Sequence, residues 1–465
     1  MKYLLFGTGD YYNRYKKWFK CNDIVALLDN AEQKQYTVID GHKVLPPEEG
    51  IKLQYDAVVI LSFYVKQMKQ QLVSLGVSEE EIYHFYDLHQ LFVGKRLDIP
   101  IQYYLDAEEI VKSKRHTNLK ILLMSTDLTF GGPSLALFRA AVILKKQGYI
   151  VVYASMWDGA LKEKLIEQGI SVIVDENLPV LTMKQTAWVS SFSMIICNTL
   201  NFYVFLSERN TEIFVIWWLH DARFFYDGVD RDIIGRISLK NLKAVAVGPV
   251  PRKAVNEFLP NLKCGELLYG VRDIEAKHVK KKNGNVMRFI TIGFLEDIKG
   301  HDILLNAVRI LPDSIRQNCE FYIVGHNKTL FGEKMKDESK EVHEIIFTGS
   351  VERDKIHELL STSDVLICPS RQDAMPTVVA EAMMHSVPCI ISDVIGTVAY
   401  IKHGKNGLIF ASGNAKELAD KIEWSVYHKD EMLQIGIGAR YTYEKVFSMD
   451  VFERKLLEII NRDIG

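Results

Sequence analysis

The sequence lacks any apolar run of about 18 residues, the length that a membrane-spanning helix needs. It also lacks a recognisable secretory signal. Its charges nearly cancel, because 57 lysines and arginines face 59 aspartates and glutamates and give a net charge of −2. We therefore expect no nucleic-acid partner. These absences predict a cytoplasmic protein and leave peripheral attachment to the inner face of the membrane open.

The cysteines lack the spacing of a metal site or of a disulfide framework. None forms a CxxC pair, and most of the six lie in apolar stretches: Cys21, Cys197, Cys264, Cys319, Cys368 and Cys389. This distribution is typical of reduced thiols in a cytoplasmic protein. We expect no metal site.

The length of 465 residues predicts about three domains. Residues 1–95 begin with a strand that runs into Gly7-Thr-Gly9, and a later strand ends at Asp29. This pattern is typical of a Rossmann-like nucleotide-binding domain, in which glycines form the turn and the acid meets a ribose. Because Tyr12 replaces the third glycine of the fingerprint, a docking or homo-oligomerisation module is the alternative.

A second α/β domain is predicted at residues 119–276, after a polar linker at 96–118. Its strands and helices alternate, which indicates a parallel sheet with helices on both faces. The first strand-to-helix turn contains Gly131 and Gly132, where backbone can approach a ligand closely. His220 directly follows another strand, and ligands of such sheets bind beyond these strand ends.

A third α/β domain is predicted at residues 287–445, after a hydrophilic hinge and before a C-terminal helix at 446–465. Its first strand ends at Gly293, and Lys299 and Gly300 follow in the loop before a helix. A lysine beside a glycine at such a turn is a common phosphate-binding arrangement.

The most informative stretch is residues 368–393, CPSRQDAMPTVVAEAMMHSVPCIISD. Between two apolar strands it predicts a helix from Thr377 to Met384, with Pro376 in the first turn. Asp373 precedes this helix, whose N-terminus suits a diphosphate. Glu381 lies inside the helix among apolar residues. It is therefore either buried, with donors such as sugar hydroxyls, or directed to solvent at a sheet edge.

These features resemble the retaining GT-B glycosyltransferases of family 4, also called glycosyl transferases group 1, over residues 119–465. Asp373 and Glu381 match the family's E-x7-E motif, with aspartate as the first acid. Residues 1–95 resemble a small Rossmann-like domain of sugar acyltransferases and some polysaccharide-synthesis enzymes. Other positions also match the family: Gly131, Gly132, Asn198, Thr199, His220, Gly293, Lys299, Gly300, Gly325 and Gly349.

The resemblance implies an α/β protein with two Rossmann-like lobes that transfers a sugar from a UDP- or GDP-sugar. The acceptor would be a glycan, a lipid-linked molecule or a small molecule, and the anomeric configuration would be retained. Polysaccharide or glycoconjugate synthesis is the expected setting, without a metal or cofactor. The implied catalytic residues are Lys299, Asp373 and His220. The implied donor-binding residues are Glu381, Gly131, Gly132, Gly293, Ala374, Met375, Pro376, Thr377, Gly325 and Gly349.

Departures from the family pattern leave an alternative open. Phe294 stands where an arginine is usual, and Asp373 is one carbon shorter than glutamate. A non-catalytic GT-B-like subunit that partners an active transferase is therefore the second hypothesis. A metal-dependent transferase would need a DxD motif after a strand. The candidate, Asp230-Arg-Asp232, is predicted to lie in a polar loop instead.

Overall fold

The computed structural model describes residues 1–62, 64–85, 87–92, 97–113, 119–274, 286–326 and 329–464. The chain divides into two compact units. The first consists of Met1–Trp217, Arg223–Lys243 and Phe258–Leu262, and the second of Trp218–Ala222, Ala244–Glu257 and Lys263–Gly465. The predicted hinge at residues 277–285 lies outside the described residues.

The N-terminal domain is built on a six-stranded sheet. Its short apolar runs form buried parallel strands, apart from the antiparallel β3–β4 pair, and the strand order is β3-β4-β2-β1-β5-β6. The elements are β1 (Tyr3–Phe6), α1 (Asp10–Tyr15), β2 (Ile24–Leu28), β3 (Val38–Ile39), β4 (His42–Leu45), α2 (Pro47–Gly50), β5 (Ala57–Ile60), α3 (Val65–Ser74), β6 (Ile82–His84) and α4 (Leu88–Leu91).

A second sheet has the order β14-β13-β12-β11-β8-β9-β10-β7. Its elements are β7 (Gln102–Tyr104), α5 (Ala107–Lys112), β8 (Lys120–Asp127), α6 (Gly132–Lys146), β9 (Ile150–Trp157), α7 (Leu161–Glu167), β10 (Ser171–Val174), β11 (Met194–Asn198), α8 (Tyr203–Ser207), β12 (Phe214–Leu219), α9 (Arg231–Gly235), β13 (Leu242–Ala246), α10 (Pro249–Asn256) and β14 (Cys264–Glu266). Because β7 pairs antiparallel with β10, part of the predicted linker belongs to this sheet.

The third sheet, β17-β16-β15-β18-β19-β20, is parallel throughout. Its elements are β15 (Met287–Ile292), α11 (His301–Ile310), α12 (Asp313–Arg316), β16 (Cys319–Val324), α13 (Leu330–Glu338), β17 (Ile345–Gly349), α14 (Arg353–Ser361), β18 (Val365–Cys368), α15 (Thr377–Met384), β19 (Cys389–Ser392), β20 (Leu408–Phe410), α16 (Ala415–Tyr427), α17 (Lys429–Thr442) and α18 (Met449–Ile464). Strands β18 and β19 are wholly buried, as expected for a sheet covered on both faces. The predicted α/β class is confirmed.

Within the first unit, the N-terminal domain packs on the second sheet through aromatic rings. Trp18 stacks on Trp157 with ring centroids 6.0 Å apart, and Tyr15 meets the same indole edge-on at 5.0 Å. All three side chains are buried. Lys17 adds an ion pair with the buried Glu176. Because Trp157 ends β9, the N-terminal domain covers the carboxyl edge of this sheet at that strand.

In the described part of the chain, no helix combines the length and the apolar character needed to cross a membrane.

Candidate functional site

An ion pair between Lys299 and Asp373 lies at the carboxyl edge of the third sheet. Lys299 ends a short helical turn after β15, and Asp373 follows β18. Because β15 and β18 are parallel neighbours, the loops that follow them meet. Lys299 Nζ lies 2.7 Å from Asp373 Oδ2, and the two side chains are 32% and 14% exposed. The two predicted catalytic residues of this domain are therefore in direct contact.

The positive charge of Lys299 is stabilised by Asp373. Burial lowers the pKa of Lys299, but the charge of Asp373 and its hydrogen bond raise the pKa more, so that it ends above its ordinary value. The Asp373 carboxylate also accepts a hydrogen bond from the Met375 backbone, through Oδ1 at 3.2 Å. The arrangement holds an ammonium group at the loop that leads into α15, and the N-terminus of a helix favours an anion.

The backbone of residues 374–377 forms the entry to α15. The helix begins at Thr377, and Pro376 is the residue before it rather than a member of the first turn. Met375 is buried, and the Ala374 carbonyl packs against Gly396. A Cβ atom on Gly396 would lie 1.8 Å from that oxygen. Glycine at position 396 is therefore required to keep this segment in place.

Close backbone approach also explains one of the predicted glycines beside β15. A Cβ atom on Gly325 would lie 1.9 Å from the carbonyl oxygen of Gly293. A Cβ atom on Gly293 would lie 3.7 to 3.9 Å from side-chain carbons of Lys299, so that the aliphatic part of this lysine packs beside the glycine. Gly349, at the end of β17, has a left-handed φ of 71°. These glycines shape the edge on which Lys299 lies.

Glu381 is buried within α15, with only 2% of its side chain exposed. Its Oε1 atom accepts a hydrogen bond from the guanidinium of Arg353, the first residue of α14. The solvent-facing alternative for Glu381 is therefore wrong, and a cation meets the need for a donor.

His220 directly follows β12 and is buried. Its ring lies 4.9 Å from that of Trp218, and its Nε2 atom has no hydrogen-bond partner among the described residues. Burial lowers the pKa of His220 to about 3. The imidazole is therefore neutral at neutral pH and retains a ring nitrogen for one further hydrogen bond.

Gly131 and Gly132 lie in the first unit, where Gly131 caps α6 and Gly132 begins it. The turn is held from two sides. Asp127 Oδ1 accepts hydrogen bonds from the Thr129 hydroxyl at 2.6 Å and the Ser134 hydroxyl at 3.1 Å. Asn198 donates to the Pro133 carbonyl at 2.9 Å. These side chains fix the glycine turn.

Asp29, the acid predicted to meet a ribose, has hydrogen-bond partners within the N-terminal domain. This carboxylate accepts hydrogen bonds from the Thr8 hydroxyl and backbone and from Ala31, with Lys34 Nζ 3.4 Å away. Burial raises the pKa of Asp29, but these partners lower it more, so that it ends below its usual range. The acid therefore joins the glycine turn at Thr8 to the turn after β2, and nucleotide binding and docking both stay predictions for this domain.

Three features of the site escape sequence reasoning. Arg353 pairs with Glu381 across 28 residues of sequence. Arg371 donates two hydrogen bonds to the Asp302 carboxylate, of 2.8 and 2.6 Å. Gly248 leaves room for Met375, whose Cε atom lies 2.4 Å from an added Cβ. Such pairings depend on the fold, and the linear pattern carries no signal for them.

The candidate DxD motif lies at the start of α9 rather than in the predicted polar loop, with Asp232 inside the helix. Asp230 caps α9 by accepting hydrogen bonds from the backbone N–H groups of Asp232 and Ile233. Across the described residues, no group of three or more histidine, cysteine, aspartate or glutamate side chains could hold a metal ion.

Comparisons with known proteins find matches for each domain. Residues 1–83 match "C2185-like, N-terminal", residues 117–242 match "Glycosyl-transferase family 4" and residues 272–440 match "Glycosyl transferases group 1". Spore coat protein SA of Bacillus subtilis is 23% identical over 381 residues, which cover 74% of this chain and all of that protein. The putative glycosyltransferase EpsF of Bacillus subtilis is 32% identical over 195 residues, 39% of this chain and 47% of that protein.

Solved structures share the fold. Anabaena Alr3699/HepE in complex with UDP and glucose has a TM-score of 0.62 at 18% identity, covering 74% of this chain and all of that one. WaaG, a glycosyltransferase involved in lipopolysaccharide biosynthesis, has a TM-score of 0.56 at 17% identity, covering 73% of this chain and 99% of that one.

Proposed function

We propose that this chain, a glycosyltransferase of the GT-B type, transfers a sugar from a UDP- or GDP-sugar. Its family 4 domain lies at residues 117–242 and its group 1 domain at residues 272–440. The acceptor is a glycan, a lipid-linked molecule or a small molecule, and the sugar keeps its anomeric configuration. The observation that carries this proposal is the contact of Lys299 with Asp373 in the loop that leads into α15.

Each group has a chemical task in this proposal. Lys299 and the N–H groups at the start of α15 stabilise the charge that develops on the leaving diphosphate. Asp373 accepts hydrogen bonds from hydroxyls of the transferred sugar, and Glu381 accepts them from the ribose. His220, neutral and with an available ring nitrogen, contacts the sugar. One preorganised donor of this kind is worth roughly 3 kcal/mol of barrier.

Retention needs no protein nucleophile in this scheme. The bond from the anomeric carbon to the phosphate oxygen breaks while the acceptor oxygen bonds to the same face of the sugar. The proton of the acceptor hydroxyl passes to the departing phosphate oxygen. The reaction then needs no metal, because Lys299 and α15 meet the diphosphate charge. The proposed roles of Gly131 and Gly132 in donor binding stay predictions.

Names of similar proteins support the substrate classes. The Anabaena protein has been solved with UDP and with UDP-glucose. A Campylobacter jejuni relative, 27% identical over 143 residues, is named for transfer to a diphospho-undecaprenol acceptor. We propose a UDP-sugar as the first donor to test and a lipid-linked glycan as the first acceptor.

A nucleotide-sugar panel in a thermal-shift assay tests donor binding. A ligand at about 100 times its dissociation constant stabilises the protein by roughly 2.7 kcal/mol. We expect one UDP- or GDP-sugar to do so and Glu381→Ala to abolish the shift. Glu320→Ala is the matched control, since Glu320 also pairs with an arginine, Arg288. If no nucleotide sugar shifts the wild-type melting temperature, the enzyme proposal fails.

One observation favours the non-catalytic alternative. The Phe294 side chain is 61% exposed and meets the His326 ring edge-on at 6.3 Å. With an aromatic side chain at position 294, Lys299 is the cation that this loop offers to a diphosphate. Lys299 is already ion-paired with Asp373, which weakens the charge available to the ligand. Nucleotide binding without turnover, across a panel of donors and acceptors, would support this alternative.

A further inference from the structure

Glu381 is paired with an arginine that none of the proposed roles uses. The Glu381 side chain is 2% exposed, whereas that of Arg353 is 42% exposed. The guanidinium therefore extends from the protein surface to a buried carboxylate. A buried carboxylate without a partner costs several kcal/mol, roughly. The contact gives this buried carboxylate a cationic partner.

Helix α14 is fixed against α15 at two points, which determines where Arg353 can reach. Arg353 begins α14 and contacts Glu381 within α15. His357 follows one turn later, and its Nδ1 atom lies 3.2 Å from Nε2 of His385, the residue after α15. Two contacts one turn apart prevent α14 from sliding along α15. The guanidinium is therefore held in a defined orientation.

The contact with Arg353 uses a single carboxylate oxygen, Oε1 of Glu381. An ionised carboxylate can accept about four hydrogen bonds in total. Capacity therefore remains for two vicinal hydroxyls, which are neutral donors and could not replace the charge of the guanidinium. Arg353 and a diol can consequently act on the carboxylate together.

We propose that Arg353 is the positioning residue that holds Glu381 for a ribose diol, and so sets the preference for ribonucleotides over deoxyribonucleotides. This inference rests on the proposed function, in which Glu381 binds the ribose of the donor. It assigns Arg353 no contact with the transferred sugar. Loss of Arg353 should therefore weaken ribose recognition specifically.

The test compares dissociation constants for UDP, GDP and their 2′-deoxy counterparts, measured by calorimetry on the full chain. We expect wild type to prefer at least one ribonucleotide by about tenfold or more, since a tenfold change corresponds to about 1.4 kcal/mol. Arg353→Met should reduce that preference to about twofold or less. Arg353→Lys, which restores a cation, should recover part of it.

Two variants serve as controls. Arg316→Gln removes another arginine–glutamate pair of the second unit, that with Glu344. Lys355→Met removes an exposed cation of the same helix α14, which pairs with Glu358, and leaves Arg353 and the His357–His385 contact in place. Both should keep the wild-type preference. Melting curves for all variants separate a folding defect from a loss of selectivity.

The outcomes are distinguishable. Wild-type protein that binds no ribonucleotide overturns the proposed function and this inference together. Wild-type protein that discriminates, with Arg353→Met discriminating equally well, overturns only the role of Arg353. Tighter ribonucleotide binding by Arg353→Met also overturns it, because Arg353 would then compete with the ribose for Glu381.

Discussion

At the scale of single residues, the site depends on charges that are paired before any ligand arrives. Lys299 is held by Asp373, and Glu381 is held by Arg353. Each pair restricts the rotamers of a long side chain, so that less conformational entropy is lost when a ligand binds. The cost is that a diphosphate must share Lys299 with a carboxylate. Substitution of these residues measures whether the saved conformational entropy outweighs the competition between Asp373 and the diphosphate for Lys299.

Lys299→Met should lower kcat by about a hundredfold or more, because one donor to the developing charge is lost and Asp373 is left unpaired. Lys299→Arg should retain more activity. Lys334→Met is the control, since Lys334 is an exposed lysine that pairs with Glu338. Steady-state kinetics with the best donor give the comparison. Equal kcat values for Lys299→Met and Lys334→Met would contradict the role of Lys299.

Phe294→Arg should tighten binding of a nucleoside diphosphate by about fivefold, because it adds a cation to the loop that carries Lys299. The gain should shrink as salt is raised, because exposed charges are screened. Ile310→Arg adds the same charge at another exposed apolar position of the second unit. Titration calorimetry at two salt concentrations makes the measurement. A Phe294→Arg affinity no higher than that of Ile310→Arg would show that position 294 does not face the diphosphate.

His301 makes stability depend on pH. It is fully buried, and neither ring nitrogen has a hydrogen-bond partner among the described residues. The pKa of His301 is lowered to about 4, mainly by burial and also by the charge of Lys299, while the charge of Asp302 opposes both. An unfolded histidine titrates near 6.5, roughly. The unfolded chain therefore binds the extra proton between these values, and stability is lost as pH falls from about 6.5 to about 4.

His301→Leu should remove this dependence. At pH 5 the histidine should cost wild type about 2 kcal/mol relative to pH 7, by the linkage of proton binding to folding. Denaturant unfolding at the two pH values gives the difference. His343→Leu, at an exposed position, should leave it unchanged. A His301→Leu protein that loses as much stability as wild type between pH 7 and pH 5 would assign the effect to other groups.

At the scale of elements, the docking of the N-terminal domain depends on β9 ending in Trp157. Trp157→Ala removes the ring against which Trp18 and Tyr15 pack, and we expect a loss of about 3 to 5 kcal/mol. Amide hydrogen exchange in β1–β6 should quicken.

Trp188→Ala is the matched control for this docking experiment. It also removes a buried tryptophan from the first unit, one that packs on Phe192 and donates to Asp175. It should destabilise the unit without quickening exchange selectively in β1–β6. The same selective pattern in both variants would show that Trp157 has no special role in docking.

The elements also show how far sequence reasoning extends. Strands β18 and β19 and helix α15 are predictable because continuous apolar runs and a proline mark them locally. Strand β7 is not, because three residues in a polar stretch become a strand only when β10 supplies a partner. Glu381 stands out from its apolar neighbours, whereas Arg353 is one of many charged residues on an ordinary helix. Local patterns therefore identify the carboxylate and miss its counterion.

At the scale of the whole molecule, we expect sugar transfer to proceed without a divalent metal. Activity should stay within about twofold of its starting value after treatment with EDTA, because Lys299 and α15 supply the charge that a metal would otherwise supply. Asp230→Ala should cost about 1 kcal/mol of stability through the lost cap of α9, with kcat retained. Abolition of activity by EDTA, with recovery on addition of Mg²⁺ or Mn²⁺, would contradict this mechanism.

The stacking of Trp218 on Phe452, with ring centroids 5.6 Å apart, has a consequence for protein synthesis. Trp218 lies two residues before His220, whereas Phe452 belongs to α18. The ring stack beside His220 therefore forms only after Phe452 has been synthesised. A nascent chain that stops before α18 lacks this contact. We expect products that terminate before α18 to be inactive even when they carry Lys299, Asp373 and Glu381.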